Sequence, residues 1–183
     1  NLIFQLGTLA LVVAIPFFFW DLSSEFYEIP RFLFLLAVVA VMFVLWAARW
    51  IVEGKVTFIR TPLDLPFLLL LAVFIISTLL SPSRSVAVLG NFPHLHGGLA
   101  AFAVYILFYF VLASNMRKIS LVKQLTQLFL ILGSLLAILS LLSYAGVNFL
   151  TLPWTAAQNF TPTGSSFSTT AILALILPFP LVA

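Results

Sequence analysis

The chain has 183 residues, of which 63% are hydrophobic and 7% charged, and its mean hydropathy is +1.24. A soluble domain carries roughly 25% charged residues, and one this short has too much surface for its volume to bury so many apolar side chains. The composition therefore argues against a water-soluble domain, the net charge of +3 argues against a nucleic-acid partner, and the lack of cysteine excludes disulfides, thiolate zinc sites and cysteine nucleophiles.

A helix needs roughly 20 apolar residues to cross a bilayer. In chain order, about six candidate runs are predicted, at residues 2–20, 32–48, 65–80, 99–113, 125–143 and 170–183. The fold class expected is an all-α integral membrane protein, a bundle of about six transmembrane helices. Helices are expected because backbone polar groups in lipid must be satisfied within the segment or by closed barrel pairing, and these runs are too long and too little alternating for barrel strands. The first run has no basic segment before it and no small-residue cleavage site before Asp21, so it reads as a retained span. Asp64 is expected to cap the third helix, with Pro66 in its first turn. Trp20, Trp46, Trp50 and Tyr144 fall near span ends, where amphipathic aromatics anchor. Pro16, Pro178 and Pro180 lie within apolar runs, where proline is expected to kink a helix. The chain starts at Asn1 and stops inside an apolar run, so residues 1–183 are expected to be one transmembrane domain, the N-terminal part of a longer polypeptide.

Charge sets the expected orientation. Arg49, Lys55 and Arg60 fall in one loop, and Arg117, Lys118 and Lys123 in another, against only Arg31 and Arg84 in the alternate loops. Basic residues mark the cytoplasmic side. The N-terminus is therefore predicted to be cytoplasmic, and loops 21–31, 81–98 and 144–169 to be outside.

Loop 81–98 is the polar island of the chain and holds Arg84, His94 and His96. Arginine is always charged and its planar fork matches phosphate; histidine titrates near neutrality and can act as a base or as a phosphate donor. Together the three residues would handle a diphosphate at the outer face. The competing reading is that Arg84 snorkels to headgroups and the histidines face water or cap a helix. The His-x-His pair lacks the third and fourth ligands that a zinc site needs, so no metal is expected. Gly164 and Ser165 belong to a hydroxyl-rich stretch, residues 161–170, before the last run. The free N–H groups at that helix start would suit an anion, and an ordinary Ser/Thr cap is the competing reading. Asn159, Phe160 and Thr161 fit the short N-glycosylation pattern. Asp21, Glu25 and Glu28 form an acidic outside loop, expected to be solvated. No Walker, Rossmann, HExxH or GxSxG pattern occurs, and no acidic residue lies deep in a span, which argues against a proton-coupled pump.

Two stretches carry a resemblance. The first runs from Ser81, Ser83, Arg84 and Ser85 to Gly90, His94, Gly97, Gly98 and Leu99. It resembles the O-antigen ligase / O-antigen polymerase family, whose members have a serine-rich exit from the third helix and a Gly-x-x-x-Arg-x-x-Gly-Leu pattern opening the fourth. His94 stands here where arginine is frequent. The second runs from Thr163 and Gly164 through Ala171 to Pro178 and Pro180. It is similar to that family's Gly-Thr-x-x-Asn-Pro segment, with Ser168 and Thr169 in place of Asn-Pro.

The resemblance implies a multi-spanning glycosyltransferase of the bacterial inner (cytoplasmic) membrane. Such an enzyme moves a glycan from undecaprenyl diphosphate to a lipid, glycan or protein acceptor at the outer face, without metal, nucleotide sugar or other cofactor. Its main catalytic groups are expected beyond residue 183, leaving Arg84, His94, His96, Gly164 and Ser165 as substrate-binding candidates. Two other classes remain open on the residues alone: a transporter or flippase-like module, and a non-catalytic membrane scaffold.

Overall fold

The computed structural model describes residues 2–18, 28–55, 58–91, 95–115, 119–146, 161 and 163–178. Among these the chain is all-helical, with seven α-helices and no strand. They are α1 (Leu2–Phe17), α2 (Glu28–Glu53), α3 (Asp64–Leu80), α4 (Arg84–Leu89), α5 (Leu99–Asn115), α6 (Ile119–Tyr144) and α7 (Ser166–Ile176). A single 3-10 turn, Leu95–Gly97, precedes α5. Each of the six apolar runs contains a helix, and two of the helices outgrow their prediction: α2 and α6 each have 26 residues. Charged residues extend both, because Glu28, Arg31, Arg49 and Glu53 continue α2 and Lys123 lies in α6. These residues are good helix formers apart from their charge, and hydropathy alone excluded them. Arg49 and Glu53 form an exposed pair one turn apart, at 2.5 Å.

Helix α2 and the stretch Leu121–Tyr144 of α6 are long and apolar enough to cross a membrane; the other four apolar helices are shorter, at 17 residues or fewer. Neighbouring helices run in the order α7, α6, α1, α2, α5, α3. Helix α1 presents Phe4, Thr8 and Leu11 as a buried stripe, and α2 presents Leu35, Val39, Met42 and Trp46. Spacings of three and four place each set on one helix face. Phe4 packs with Met42, Trp46 and Val111, whereas Leu11 packs with Leu35 and Val39, so α1 and α2 are antiparallel. Phe67 meets Tyr109 at 4.6 Å and Phe74 stacks on Phe102 at 4.4 Å, so α3 and α5 are antiparallel too. Such ring pairs contribute about 0.5–1.5 kcal/mol each beyond area burial.

Three local expectations change. Trp46 is only 3% exposed and belongs to the α1–α2–α5 core, with Trp50 set edge-on at 4.3 Å. Tyr144, by contrast, is exposed. Asp64 is the first residue of α3 and not its cap: Leu63 holds the cap position without a side-chain bond. The Asp64 carboxylate instead turns back to accept from the Thr61 N–H at 2.8 Å, the Thr61 hydroxyl at 2.8 Å and the Tyr109 hydroxyl at 2.9 Å. Pro16 falls in the last turn of α1, where there is no further helix to kink.

Candidate functional site

Between α3 and α5, Arg84–Leu89 and Leu95–Gly97 are helical, where the sequence suggested an irregular loop. Ser81 leaves α3 in extended conformation, and α4 begins at Arg84. Gly90 ends α4 with φ 87°, a conformation that favours glycine, and its N–H bonds the Val86 carbonyl at 2.8 Å. The 3-10 turn then leads into α5 at Gly98. A Cβ at Gly98 would sit 2.4 Å from the Gly90 nitrogen and 2.5 Å from the Val88 carbonyl oxygen. Only a hydrogen fits there, so Gly98 lets α4 lie directly on the start of α5. The backbone of Val88, Leu89 and Gly90 thus lies directly against Gly98.

The first turn of α2 lies at the same end and joins the other loops to it. Glu28 Oε2 approaches His96 Nδ1 at 3.5 Å, tying the 3-10 turn to α2. One turn on, Arg31 donates from Nε to the Phe18 carbonyl at 2.9 Å, from Nη2 to the Pro16 carbonyl at 3.1 Å, and from Nη1 to the Thr163 carbonyl at 2.6 Å. The last carbonyls of a helix lack partners within it, and its C-terminal end is partly negative. Helix α1 has no basic residue in its own last turn. Arg31 supplies that cation from the neighbouring helix, and its planar fork reaches a third segment besides. Phe18, whose carbonyl accepts from Arg31, also stacks its ring on Phe34 of α2, with centroids 4.9 Å apart.

The segment held by Arg31 is the start of α7. Gly164 takes φ 91° and its N–H bonds the Thr161 carbonyl at 2.9 Å. Ser165 is the N-cap: its hydroxyl accepts from the Ser168 N–H at 3.0 Å and donates to the Ser168 hydroxyl at 2.8 Å. Thr163 is buried, and its hydroxyl meets those of neighbouring groups, bonding Thr169 and the Ser165 carbonyl. The capping role anticipated for Ser165 is therefore filled.

Of the sequence candidates, Arg84 and His96 are exposed, on α4 and the 3-10 turn, which pack together. Gly164 and Ser165 are exposed at the start of α7, linked to them through Arg31 and Glu28. His94, Trp20, Asp21, Glu25, Arg117, Lys118, Asn159, Phe160 and Pro180 lie outside the described residues. Among the described residues no group of three His, Asp or Glu side chains is placed to hold a metal. Arg31 is the residue sequence reasoning passed over, and Gly98 entered it only within the stretch that carries the resemblance. Arg31 entered only as one charge in a tally, though a lone arginine in a helix's first turn, beside a helix end without its own cation, was a usable signal.

On the outer side of this end, α3 carries an open groove of ≈590 Å³ lined by Val73, Ile76, Ser77, Leu80, Ser81 and Pro82. A second recess, ≈360 Å³ and almost wholly apolar, lies between α1, α5, α6 and α7. At the opposite end, the Thr61 N–H beside Asp64 holds that carboxyl below the ordinary carboxylate range, against a smaller desolvation effect.

Comparison with protein-family models, with curated proteins and with solved structures finds no match to this chain.

Proposed function

We propose that the chain is the membrane-embedded helical portion of an O-antigen ligase-like glycosyltransferase. It moves a glycan from undecaprenyl diphosphate to a lipid, glycan or protein acceptor at the outer face of the bacterial inner membrane. The bilayer setting is supported by the outward faces of the helices. Leu68, Leu69, Val73, Ile76, Val122, Ile131, Ile138 and Leu175, on α3, α6 and α7, are all large, apolar and at least half exposed. Exposed hydroxyls on the same helices turn back on their own backbone: Thr126 bonds the Val122 carbonyl at 2.9 Å, Ser134 the Leu130 carbonyl at 2.8 Å and Thr170 the Ser166 carbonyl at 2.8 Å. A hydroxyl surrounded by lipid has no other partner.

The observation that carries the reading is the gathering at one end of Arg84, His96, Gly164 and Ser165, from segments far apart in sequence, through the Glu28–His96 and Arg31–Thr163 contacts. An exposed arginine at the polar end of an apolar bundle is suited to a diphosphate whose charge grows as the glycosidic bond breaks. Alternating helix directions agree with the N-terminus and the basic loops sharing the cytoplasmic side.

The test is transfer of a glycan from an undecaprenyl-diphosphate donor by the full-length protein in proteoliposomes. Arg84→Ala lowers transfer at unchanged protein abundance. Wild-type transfer by Arg84→Ala would remove Arg84 from the reading, and no transfer by the wild type with any acceptor class would remove the glycosyltransferase.

A further inference from the structure

We infer that Trp46, Trp50 and Ser114 bind one internal water molecule between α2 and α5, at the end of the bundle away from α4; the site is independent of the glycan-transfer reading. The Nε1 groups of both tryptophans and the Ser114 hydroxyl are enclosed by protein, and among the described residues none of the three meets a hydrogen-bond partner. Trp46 is 3% exposed and Ser114 5%. Buried polar groups are almost always paired, with protein or with ordered water.

The fold brings the three groups to one level. Trp46 and Trp50 are one turn apart on α2, and their rings meet edge-on with centroids 4.3 Å apart. Trp46 packs with Val111 of α5, and Trp50 packs against the same cluster. Val104 and Leu107 of α5 pack against the cluster that holds Leu35 and Val39, so α2 and α5 run in the same direction. Ser114 is one turn beyond Val111, as Trp50 is one turn beyond Trp46, so Ser114 and Trp50 share a level of the interface. Asn115 Nδ2 donates to the Val111 carbonyl at 2.8 Å, one of the two carbonyls to which Ser114 could have turned back. The exposed hydroxyls of Thr126 and Ser134 do bond their own helix, whereas Ser114 keeps its hydroxyl for the interface.

The donor set selects the occupant. An indole N–H only donates, so two of them call for an acceptor. Water accepts from both indoles and donates to the Ser114 oxygen, and at ordinary hydrogen-bond lengths it joins partners up to about 6 Å apart. An anion would bring uncompensated charge into a cluster made of Phe4, Met42 and Val111, and no charged side chain is buried among the described residues. A lipid headgroup is too large for groups enclosed by protein. The water fixes α2 against α5 through directional bonds, where the surrounding contacts are apolar and non-directional.

The experiment is infrared difference spectroscopy on the full-length protein in nanodiscs, in ordinary and in heavy-oxygen water. Trp46→Phe and Trp50→Phe each keep an aromatic ring and remove one N–H, so subtracting each from the wild type isolates one indole band. Both indole N–H bands are expected at the hydrogen-bonded position. An O–H band of an internal water is expected beside them, shifted by heavy-oxygen water and lost when both tryptophans are replaced. In Ser114→Ala the indole bands stay at the bonded position while the water band moves, because the water keeps two of its three partners. Three results overturn the site: an indole band at the free position, no isotope-sensitive water band that changes among the variants, or loss of either indole bond in Ser114→Ala, which means a direct bond to the serine. Should a tryptophan variant fail to fold, Ser114→Ala decides alone, since an unchanged water band there also overturns the site. Glycan transfer is read at no step, so failure of this site leaves that reading untouched.

Discussion

Replacing Gly98 with alanine puts a methyl group 2.4 Å from the Gly90 nitrogen, 2.5 Å from the Val88 oxygen and 2.6 Å from the Leu89 carbonyl carbon. All three are backbone atoms, so no side-chain rotamer can relieve the clash; α4 must move away from α5. Gly98 is not in the positive-φ region, so the cost is steric and not conformational. Overpacking of this kind costs about 1–3 kcal/mol. At about 2–4 °C per kcal/mol for a chain of 150–250 residues, the apparent melting temperature should fall by about 2–12 °C. The matched control is Gly97→Ala, whose Cβ meets nothing within 4 Å. That variant should be neutral or up to about 1 kcal/mol more stable, because alanine restricts the unfolded chain. Thermal unfolding in detergent, followed by tryptophan fluorescence, gives the comparison. Hydrogen exchange over residues 84–91 reports whether the damage is local to α4. If Gly98→Ala and Gly97→Ala melt together with equal protection of α4, the close approach of the two segments is wrong.

Arg31→Lys keeps the charge but loses the fork that reaches three carbonyls. Each charged hydrogen bond lost costs about 1.5–3 kcal/mol, so this variant should melt well below the wild type and become protease-sensitive near residues 161–165, whereas Arg49→Lys in the exposed pair should change stability by less than about 1 kcal/mol; equal melting of the two variants contradicts the clamp. Asp64, just before the apolar run at 65–80, titrates below its ordinary value of 3.8 in the folded chain. A lowered carboxylate pKa means that its stabilisation is complete above the ordinary value and is lost as pH falls through the folded one. The wild type should therefore be the more stable at neutral pH and should lose its margin over Asp64→Asn only in acid; a constant margin across that pH range contradicts the contact with Thr61.

Much of the architecture was legible in the sequence because it is local. Long apolar runs without strand-like alternation read as helices, and each run contains one. Helix ends were harder to read. Glu28, Arg31 and Glu53 belong to α2, yet their charge masked their helical character. The site was legible only as a set of residue types. Arg84 and His96 stood out as polar residues in an oily chain, but that Glu28 would face His96, or that Arg31 would bind the turn at Thr163, required knowing which helix ends meet.

The sequence by itself determined the class of structure: apolar helices separated by polar, Gly- and Pro-marked connections, with cations clustered in two of them. In the structure Gly90 and Gly164 turn the chain at helix ends, since glycine adopts their positive φ without strain. The tertiary structure decided which faces meet. When a helix is apolar on every side, periodicity no longer says which stripe is buried, and the choice falls to side-chain shape. That is why Trp46 lies in the core, why Gly98 must be bare to accept α4, and why Arg31 closes the end of a helix not its own.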